Sequence, residues 1–324
     1  MNIIDWLLDG DAYVRYATRK YILGNSDAEL KELKSEVLAD ARIKAYLSDV
    51  ADFNAVLISG HKNPGLPIHK LIFLLDIGLL TDVPEIEAAV RQILANKGKN
   101  GMYNSMMNVP VHFGGTGKDA LSWALCDAPL MLYALLKSGM PYDAHIRQGA
   151  EYTFGLQRSN GFPCWGSDEL GKFRGPGRKE DCCPFATLII LRLMSIIPEY
   201  RDSEAADSAV EALLYLWENS REQHPYMFYM GTDFRKLKAP ALWYDIVSVS
   251  DCLSHFERAR KDNRFHEMLD IIESKADSEL RFTPESIYMK CREWDFGQKK
   301  LPSPWLTYLC VRLLERSGKI SLVK

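Results

Sequence analysis

Five helix-length stretches that are apolar on nearly every side recur along the chain, and they constrain the fold more than any other feature. They begin near Pro67, Pro129, Pro184, Asp245 and Pro304, about 55 to 65 residues apart, and such periods are typical of repeated supersecondary units. Proline is favoured in the first turn of a helix, because the N–H that it lacks has no intrahelical partner there. A helix that is apolar all round must be buried all round. The sequence therefore predicts five buried inner helices.

Amphipathic segments alternate with these blocks. Near 86–94, 143–156, 204–217 and 262–276, apolar residues recur at helical spacings, and no stretch shows strand alternation of useful length. A straight stack of such helical hairpins would leave the inner helices exposed on one side, whereas a closed ring buries them. The pattern predicts an all-α protein with an α/α toroid, a barrel of hairpins with apolar inner helices and amphipathic outer helices.

The domain organisation follows from the same pattern. Residues 5–24 read as a short helical hairpin, and a charged helix follows at about 27–48. The apolar blocks begin only after residue 66. We expect residues 1–324 to form a single toroid domain, with residues 1–60 as an N-terminal helical arm packed on it.

Composition excludes several classes of protein. The 324 residues are 47% hydrophobic and 26% charged, which supplies ample apolar material for a core. The net charge of −3 does not favour nucleic acid as a partner. No run of 18 uncharged apolar residues occurs, so no transmembrane segment is expected. The seven cysteines form no CxxC pair, and the N-terminus lacks the pattern of a signal peptide. We expect a cytoplasmic protein with reduced thiols.

Short motifs add a resemblance to a known superfamily. Gln157, Gly161 and Trp165 fit the pattern Q-x-x-x-G-x-x-x-W, which resembles the QW repeat of squalene and oxidosqualene cyclases. Asn100-Gly101 and Asn160-Gly161 resemble loops of the wider terpenoid cyclase and protein prenyltransferase superfamily. The likeness spans roughly residues 60–316. It implies an α/α toroid and an isoprenoid-handling activity, as in a terpenoid cyclase or a prenyltransferase-like enzyme, on a hydrophobic or diphosphate small molecule.

The resemblance bears on the fold more than on an activity. The segment from Trp6 to Tyr16 is similar to one found in short bacterial toroid proteins of unassigned function. The D-x-D-D acid of class II terpene cyclases is absent from this sequence. The catalytic step of those enzymes therefore cannot be carried over motif by motif.

A metal site is implied in part by the same likeness. Asp181 and Cys183 match the D-x-C zinc ligands of protein prenyltransferase β subunits, and Gly177-Arg178 matches the Gly-Arg upstream of them. The later histidine ligand of that family would fall near 305–307, where this chain has none. A zinc ion would need another ligand, such as His255. The expectation is no cofactor, with zinc at Asp181 and Cys183 as an option.

Three aspartates occupy equivalent places at the starts of inner helices: Asp127, Asp181 and Asp245. In a closed barrel these starts would meet at one rim, and the acids would lie around one cavity. A carboxyl group in an aromatic pocket has a raised pKa and can act as a general acid, so all three are candidate catalytic residues. The alternative is that each aspartate caps its helix and complements the helix dipole.

Aromatic and basic residues accompany the same blocks. The candidate substrate-binding residues are Trp123, Trp165, Trp243, Tyr244, Trp305 and Arg178. Aromatic faces stabilise cations or stack on sugars, whereas the alternative for these rings is core and loop packing. Arg178 lies in a basic glycine-rich loop and could bind a diphosphate or carboxylate, or simply be solvated. Cys183 at a helix start would have a lowered pKa, or would be a buried cap thiol.

Three functions remain open at this stage. An isoprenoid-handling enzyme would show an apolar cavity with acids at one end. A glycan-acting α/α-barrel enzyme would show an open polar groove with two carboxylates about 5–10 Å apart. A non-catalytic toroid that binds a ligand or a partner subunit would have a centre filled by side chains.

Overall fold

The fold is all-α, as the sequence predicts. A computed structural model describes residues 2–172, 178, 180–225 and 228–322. The α-helices of these residues are α1 (Ile3–Leu8), α2 (Ala12–Tyr21), α3 (Lys31–Ala39), α4 (Ala41–Ala51), α5 (Pro67–Ile77), α6 (Pro84–Ala95), α7 (Ala128–Lys137), α8 (Ala144–Phe154), α9 (Pro184–Ser195), α10 (Pro198–Arg201), α11 (Glu204–Glu218), α12 (Ile246–Leu253), α13 (Glu257–Arg260), α14 (Asn263–Glu273) and α15 (Pro304–Arg316).

The five apolar blocks form helices α5, α7, α9, α12 and α15. Their ends obey the local signals of the sequence. Ser303 caps α15, since its Oγ accepts a bond from the backbone N–H of Leu306 at 3.1 Å. Gly78 ends α5 with a φ of 110°, in the left-handed region that glycine adopts without strain. In α9 every residue except Arg192 is buried.

Six helices pack in a closed cycle. In order around it, α2 contacts α5, α5 contacts α7, α7 contacts α9, α9 contacts α12, α12 contacts α15, and α15 returns to α2. The amphipathic helices cover this cycle: α4 packs on α5, α8 on α7, α11 on α9, and α14 on α12 and α15. Each therefore turns its apolar face towards an inner helix.

The sixth member, α2, comes from the segment expected to be an arm. Its buried residues include Tyr13, Val14, Tyr16 and Ala17, and it lies between α5 and α15. The sequence did not mark α2 as an inner helix because half of its surface is polar. Helices α1 and α3 pack against α2.

One short hairpin departs from the helical pattern. Strand β1 (Ser105–Met107) pairs antiparallel with β2 (Ala120–Ser122), with Met106 opposite Leu121. Strands of three residues are too short to show alternation in the sequence, so they were not predicted. No helix among the described residues combines the length and the apolar composition needed to cross a membrane.

Part of the loop between α11 and α12, Pro240 to Leu242, lies against α5, α7 and α9. Residues Pro240, Ala241 and Leu242 share a void of only about 10 Å³ with side chains of α5, α7 and α9. Ala241 also borders a larger cavity that all six inner helices line. Ala241 thus belongs to the wall of both spaces.

Candidate functional site

Asp245 both caps its helix and retains an unused oxygen. It precedes α12, and its Oδ1 accepts a bond from the backbone N–H of Ser248 at 2.8 Å. The residue is 5% exposed, and Oδ2 has no hydrogen-bond partner among the described residues. Burial raises the pKa of this carboxyl to about 6. Asp245 is thus a cap and, in addition, a buried acid.

Further polar groups near Asp245 lack partners. The hydroxyls of Tyr244, Ser248 and Tyr288 are buried, and none bonds to a described residue. The Nζ of Lys238 lies 3.6 Å from the ring centroid of Tyr288. Burial, together with the charge of Lys62, lowers the pKa of Lys238. Buried polar atoms are rarely left unpaired, so water or a ligand is the natural partner here.

Asp127 has a different environment. It is 1% exposed, its Oδ2 accepts a bond from Ser105 Oγ at 2.9 Å, and it makes no side-chain cap bond to α7. Burial raises the pKa of Asp127 to about 6. The void beside it has a volume of about 10 Å³ and is lined by apolar side chains such as Ile58 and Leu66.

Asp181 is only half-buried, and its Oδ2 accepts a bond from the backbone N–H of the exposed Arg178 at 3.2 Å. The rest of the basic loop, residues 173–177 and 179, lies outside the described residues. That part includes Gly177 of the Gly-Arg match. The capping residue of α9 is Cys183, two positions later, so Asp181 does not cap this helix.

Cys183 is a buried cap thiol, the second of the two alternatives for this residue. Its Sγ accepts a bond from the backbone N–H of Ala186 at 3.5 Å. Contact with the thiol of Cys164, followed by burial, raises the pKa of Cys183 well above the usual range. These effects outweigh the helix dipole. The described residues include no group of three His, Cys, Asp or Glu side chains that could hold a metal ion.

The predicted aromatic residues divide into two groups. Trp123 and Trp305 are buried and pack on Tyr152 and Tyr308, whereas Trp165 is 46% exposed. An aromatic cluster brings together Phe185, Phe228, Trp243 and Tyr244. Two predicted substrate-binding residues, Trp243 and Tyr244, thus share this cluster, and they directly precede Asp245 in the chain.

A cavity at the opposite end of the inner helices was not predicted. It has a volume of about 550 Å³. Each inner helix contributes residues from its carboxyl half or end, so the six carboxyl ends meet around it. The lining residues with ionisable or hydroxyl groups are Tyr21, Asp76, Tyr133, Lys137, Arg192, Ser195, Asp251, Cys252, His255, Arg312, Glu315 and Arg316.

Asp251 is the centre of an ion network in this cavity. Its Oδ1 lies 3.0 Å from Nη1 of Arg316 and 3.8 Å from Nη2 of Arg312. Burial alone would raise the pKa of Asp251, but the charges of Arg316 and Arg312 outweigh it and hold the pKa well below its usual range. Asp251 is therefore ionised.

His255 completes this network as a neutral side chain. Its Nε2 lies 2.9 Å from Nη1 of Arg316, which can only donate, so Nε2 accepts. Burial lowers the pKa of His255 to about 4, against the opposing effect of Asp251. At neutral pH the imidazole carries its proton on Nδ1.

A second ion pair joins Lys137 to Asp76 across α7 and α5. Lys137 Nζ also donates to the hydroxyl of Tyr133 at 3.2 Å. Burial would lower the pKa of Lys137, but Asp76 and Tyr133 raise it above its usual range. Both members of this pair are thus charged and already partnered.

Arg192 and Arg312 are less completely partnered. Arg192 Nη1 donates to the carbonyl oxygen of Ala241 at 3.0 Å. Among the described residues of the cavity, Lys137 pairs with Asp76. Arg312 and Arg316 both pair with Asp251. None of these ion pairs includes Arg192. Arg312 Nη1 donates to Tyr308 at 2.8 Å, while its buried Nε bonds to no described residue.

The sequence contains a signal for this cavity, which lies in the carboxyl halves of the inner helices and not at their starts. Lys137, Arg192, Arg312 and Arg316 are cations in otherwise apolar inner helices, and three of them lie in a last turn. A charge within an apolar helix needs a partner or a polar cavity. These cations become neighbours of Asp76 and Asp251 only when the helices pack together.

Comparisons with known proteins leave the family open. No protein-family model matches the chain, and no curated protein sequence matches it. A crystal structure described as that of a protein from Actinoplanes is similar over 95% of this chain and 90% of the other. The identity is 9% and the TM-score 0.44. That similarity is too low to support an argument about function.

Proposed function

We propose that this chain is an α/α toroid that binds a small molecule in the cavity at the carboxyl ends of its inner helices. The closed cycle of contacts from α2 through α15 and back supports the toroid. The order of apolar and amphipathic helices supports it too. This fold is shared with the terpenoid cyclase and prenyltransferase superfamily, and membership of that superfamily is part of the proposal.

The observation that carries the binding function is the cavity itself. Its volume of about 550 Å³ falls within the range of about 300–1,000 Å³ that is usual for small-molecule sites. Ile72, Val247 and Leu309 supply apolar lining, and the charged groups supply orientation. An apolar surface with a few convergent polar groups is the usual design of a ligand site.

The small space beside Pro240 to Leu242 gives no support to a reaction on a large isoprenoid among α5, α7 and α9. Pro240, Ala241 and Leu242 leave a void of only about 10 Å³ among α5, α7 and α9. A polyene of cyclase size needs a far larger apolar chamber. The glycan-acting alternative gains no support, because Asp76 and Asp251 are both held in ion pairs.

A cavity-filling variant tests this function. Ala241→Leu adds three carbons at the cavity wall, whereas Ala88→Leu makes the same change on α6, away from the cavity. Each purified protein is incubated with an extract of polar metabolites, and retained compounds are identified by mass spectrometry. We expect wild type and Ala88→Leu to retain the same compounds and Ala241→Leu to lose them. Equal retention by all three proteins would refute the assignment.

A second candidate function is acid-dependent chemistry on an isoprenoid at the other end of the inner helices. The observation that favours it is Asp245, buried, with a pKa raised to about 6 and with Oδ2 unpartnered among the described residues. Trp243 and Tyr244, which directly precede this acid in the chain, belong to an aromatic cluster with Phe228. Lys238, and Arg178 in the basic loop, are candidate partners for a diphosphate.

This second function predicts turnover of prenyl diphosphates or polyenes that depends on Asp245. Wild type and Asp245→Asn would be incubated with geranyl, farnesyl and geranylgeranyl diphosphate, and with squalene. Products that form with wild type and are absent from Asp245→Asn would support it. Identical product profiles would rule out Asp245 as the acid.

A further inference from the structure

The cavity at the carboxyl ends holds more positive than negative charge. Four cations line it, Lys137, Arg192, Arg312 and Arg316, against the three carboxylates of Asp76, Asp251 and Glu315. His255 is neutral, since Arg316 donates to its Nε2. Four cations minus three carboxylates leaves one positive charge, in a site that burial partly shields from water.

The charges are not shared evenly. Lys137 pairs with Asp76, and Arg316 makes the shorter contact with Asp251, at 3.0 Å against 3.8 Å for Arg312. The Nη1 of Arg316 is also within 2.7 Å of Ser254 Oγ and 2.9 Å of His255 Nε2. Lys137 and Arg316 are thus engaged within the wall. Arg192 and Arg312 are thus the least engaged of the four cations.

Both of these arginines have N–H groups to spare. A guanidinium has five donors in a planar fork. Among the described residues, Arg192 bonds to the carbonyl of Ala241, and Arg312 bonds to the hydroxyl of Tyr308. The Nε of Arg312 is buried with no partner in the described part of the chain. That Nε has too little accessible surface to meet an occupant of the cavity, but the terminal N–H groups of both arginines that no described residue engages can donate to an oxygen there.

Helix dipoles explain only part of this arrangement. Cations near helix carboxyl ends are stabilised by the dipole, and Lys137, Arg192 and Arg316 lie in last turns. The dipole supplies no hydrogen-bond acceptor for the spare N–H groups. Nor does it require that the charges enclose a cavity of about 550 Å³. An occupant that offers oxygen acceptors and negative charge satisfies both requirements.

We propose that the cavity binds a small organic anion, whose carboxylate or phosphate group is held by Arg192 and Arg312. Planar guanidinium forks match these groups better than any other side chain does. The organic part of the ligand lies against Ile72, Val247 and Leu309, with Tyr21 and Tyr133 beside it. The inference rests on the proposed binding function and names the class of its ligand.

Four probes that share a phenyl ring but differ in their head groups test the preference for negative charge. Benzoate and phenyl phosphate carry an anion, benzyl alcohol is neutral, and benzylamine is a cation. Inorganic phosphate tests whether the organic body matters. Binding to wild type is measured by isothermal titration calorimetry at constant ionic strength. We expect at least one aromatic anion to bind at least tenfold more tightly than benzyl alcohol, benzylamine and inorganic phosphate.

A matched pair of variants tests the residues. Arg192→Met removes the charge and the fork but keeps an unbranched side chain. Arg91→Met makes the same change at an exposed position on α6, where the arginine contacts Glu87. We expect Arg192→Met to weaken binding of the anion about tenfold to a hundredfold, and Arg91→Met to leave it unchanged. If Arg192→Met does not fold, Arg312→Lys, which keeps the charge and loses the fork, serves in its place.

The outcomes separate this inference from the function on which it rests. Equal binding of benzylamine or benzyl alcohol, or an unchanged affinity in Arg192→Met, overturns the anion preference. If inorganic phosphate binds as tightly as phenyl phosphate, the claim that the organic part of the ligand contributes to binding is overturned. If none of the probes binds, the anion inference fails. The binding function is then decided independently, by the metabolite retention of wild type against Ala241→Leu.

Discussion

Replacing Asp245 by asparagine separates the charge of this carboxyl from its capping role. Asparagine keeps an Oδ1 that can accept from the N–H of Ser248, as the aspartate does at 2.8 Å. It removes the ionisation of a carboxyl whose pKa burial raises to about 6. We therefore expect the substitution to change how the free energy of unfolding depends on pH. An effect of the new amide group that is the same at every pH does not alter this dependence.

The magnitude follows from the difference between the folded and unfolded pKa values. An unfolded aspartate has a pKa of about 3.9, so the folded value of about 6 is roughly 2 units higher, equivalent to about 3 kcal/mol. The protonated form favours the folded state. Wild-type stability from this group is therefore full below about pH 4 and is lost as the pH rises to about 6. Asparagine has no such dependence.

We expect the free energy of unfolding of Asp245→Asn, relative to wild type, to rise by roughly 2–3 kcal/mol between pH 4 and pH 8. Urea unfolding, followed by circular dichroism and extrapolated linearly to water, measures both proteins at each pH. A constant amide effect cancels in this difference. A relative stability that stays within about 0.5 kcal/mol across the range, or that falls, would refute the inferred burial of the charge.

Three further predictions test other parts of the structure. Asp251→Asn should lower stability at pH 7 and show the opposite pH trend in urea unfolding, because the lowered pKa of Asp251 stabilises the fold at neutral pH and that contribution is lost on acidification. Gly101→Ala should lower the melting temperature far more than Gly24→Ala: both have positive φ, but a Cβ on Gly101 would lie 2.5 Å from a backbone nitrogen, whereas Gly24 faces open space. Elemental analysis should find no stoichiometric zinc, since the described residues place no third ligand beside Asp181 and Cys183; one zinc per chain would contradict this.

The fold was largely predictable because its signals are local. The apolar stretches at α5, α7, α9, α12 and α15, with their proline and aspartate starts, can be read without knowing what they contact. Helix α2 could not be recognised as an inner helix in this way. Its polar face covers half of its surface, so only its contacts with α5 and α15 reveal its place.

The candidate sites were predictable only in part. The sequence singled out Asp245, Trp243 and Tyr244, of which Trp243 and Tyr244 share an aromatic cluster with Phe228. It also grouped Asp127 and Asp181 with Asp245. That grouping stays a prediction, while the bonds of the three carboxyls differ: Asp127 accepts from Ser105, Asp181 from the N–H of Arg178, and Asp245 from the N–H of Ser248. The helix pattern does not encode these partners.

By itself, the sequence determined which segments are helices and which of their faces are buried, because periodicity and end signals act over a few residues. Tertiary structure alone decided where the charges go. Arg192, Asp251 and Arg312 are far apart along the chain, and they line one cavity only because the carboxyl ends of six helices meet there. Which cation pairs with which carboxylate, and which is left for a ligand, depends on distances that no local pattern encodes.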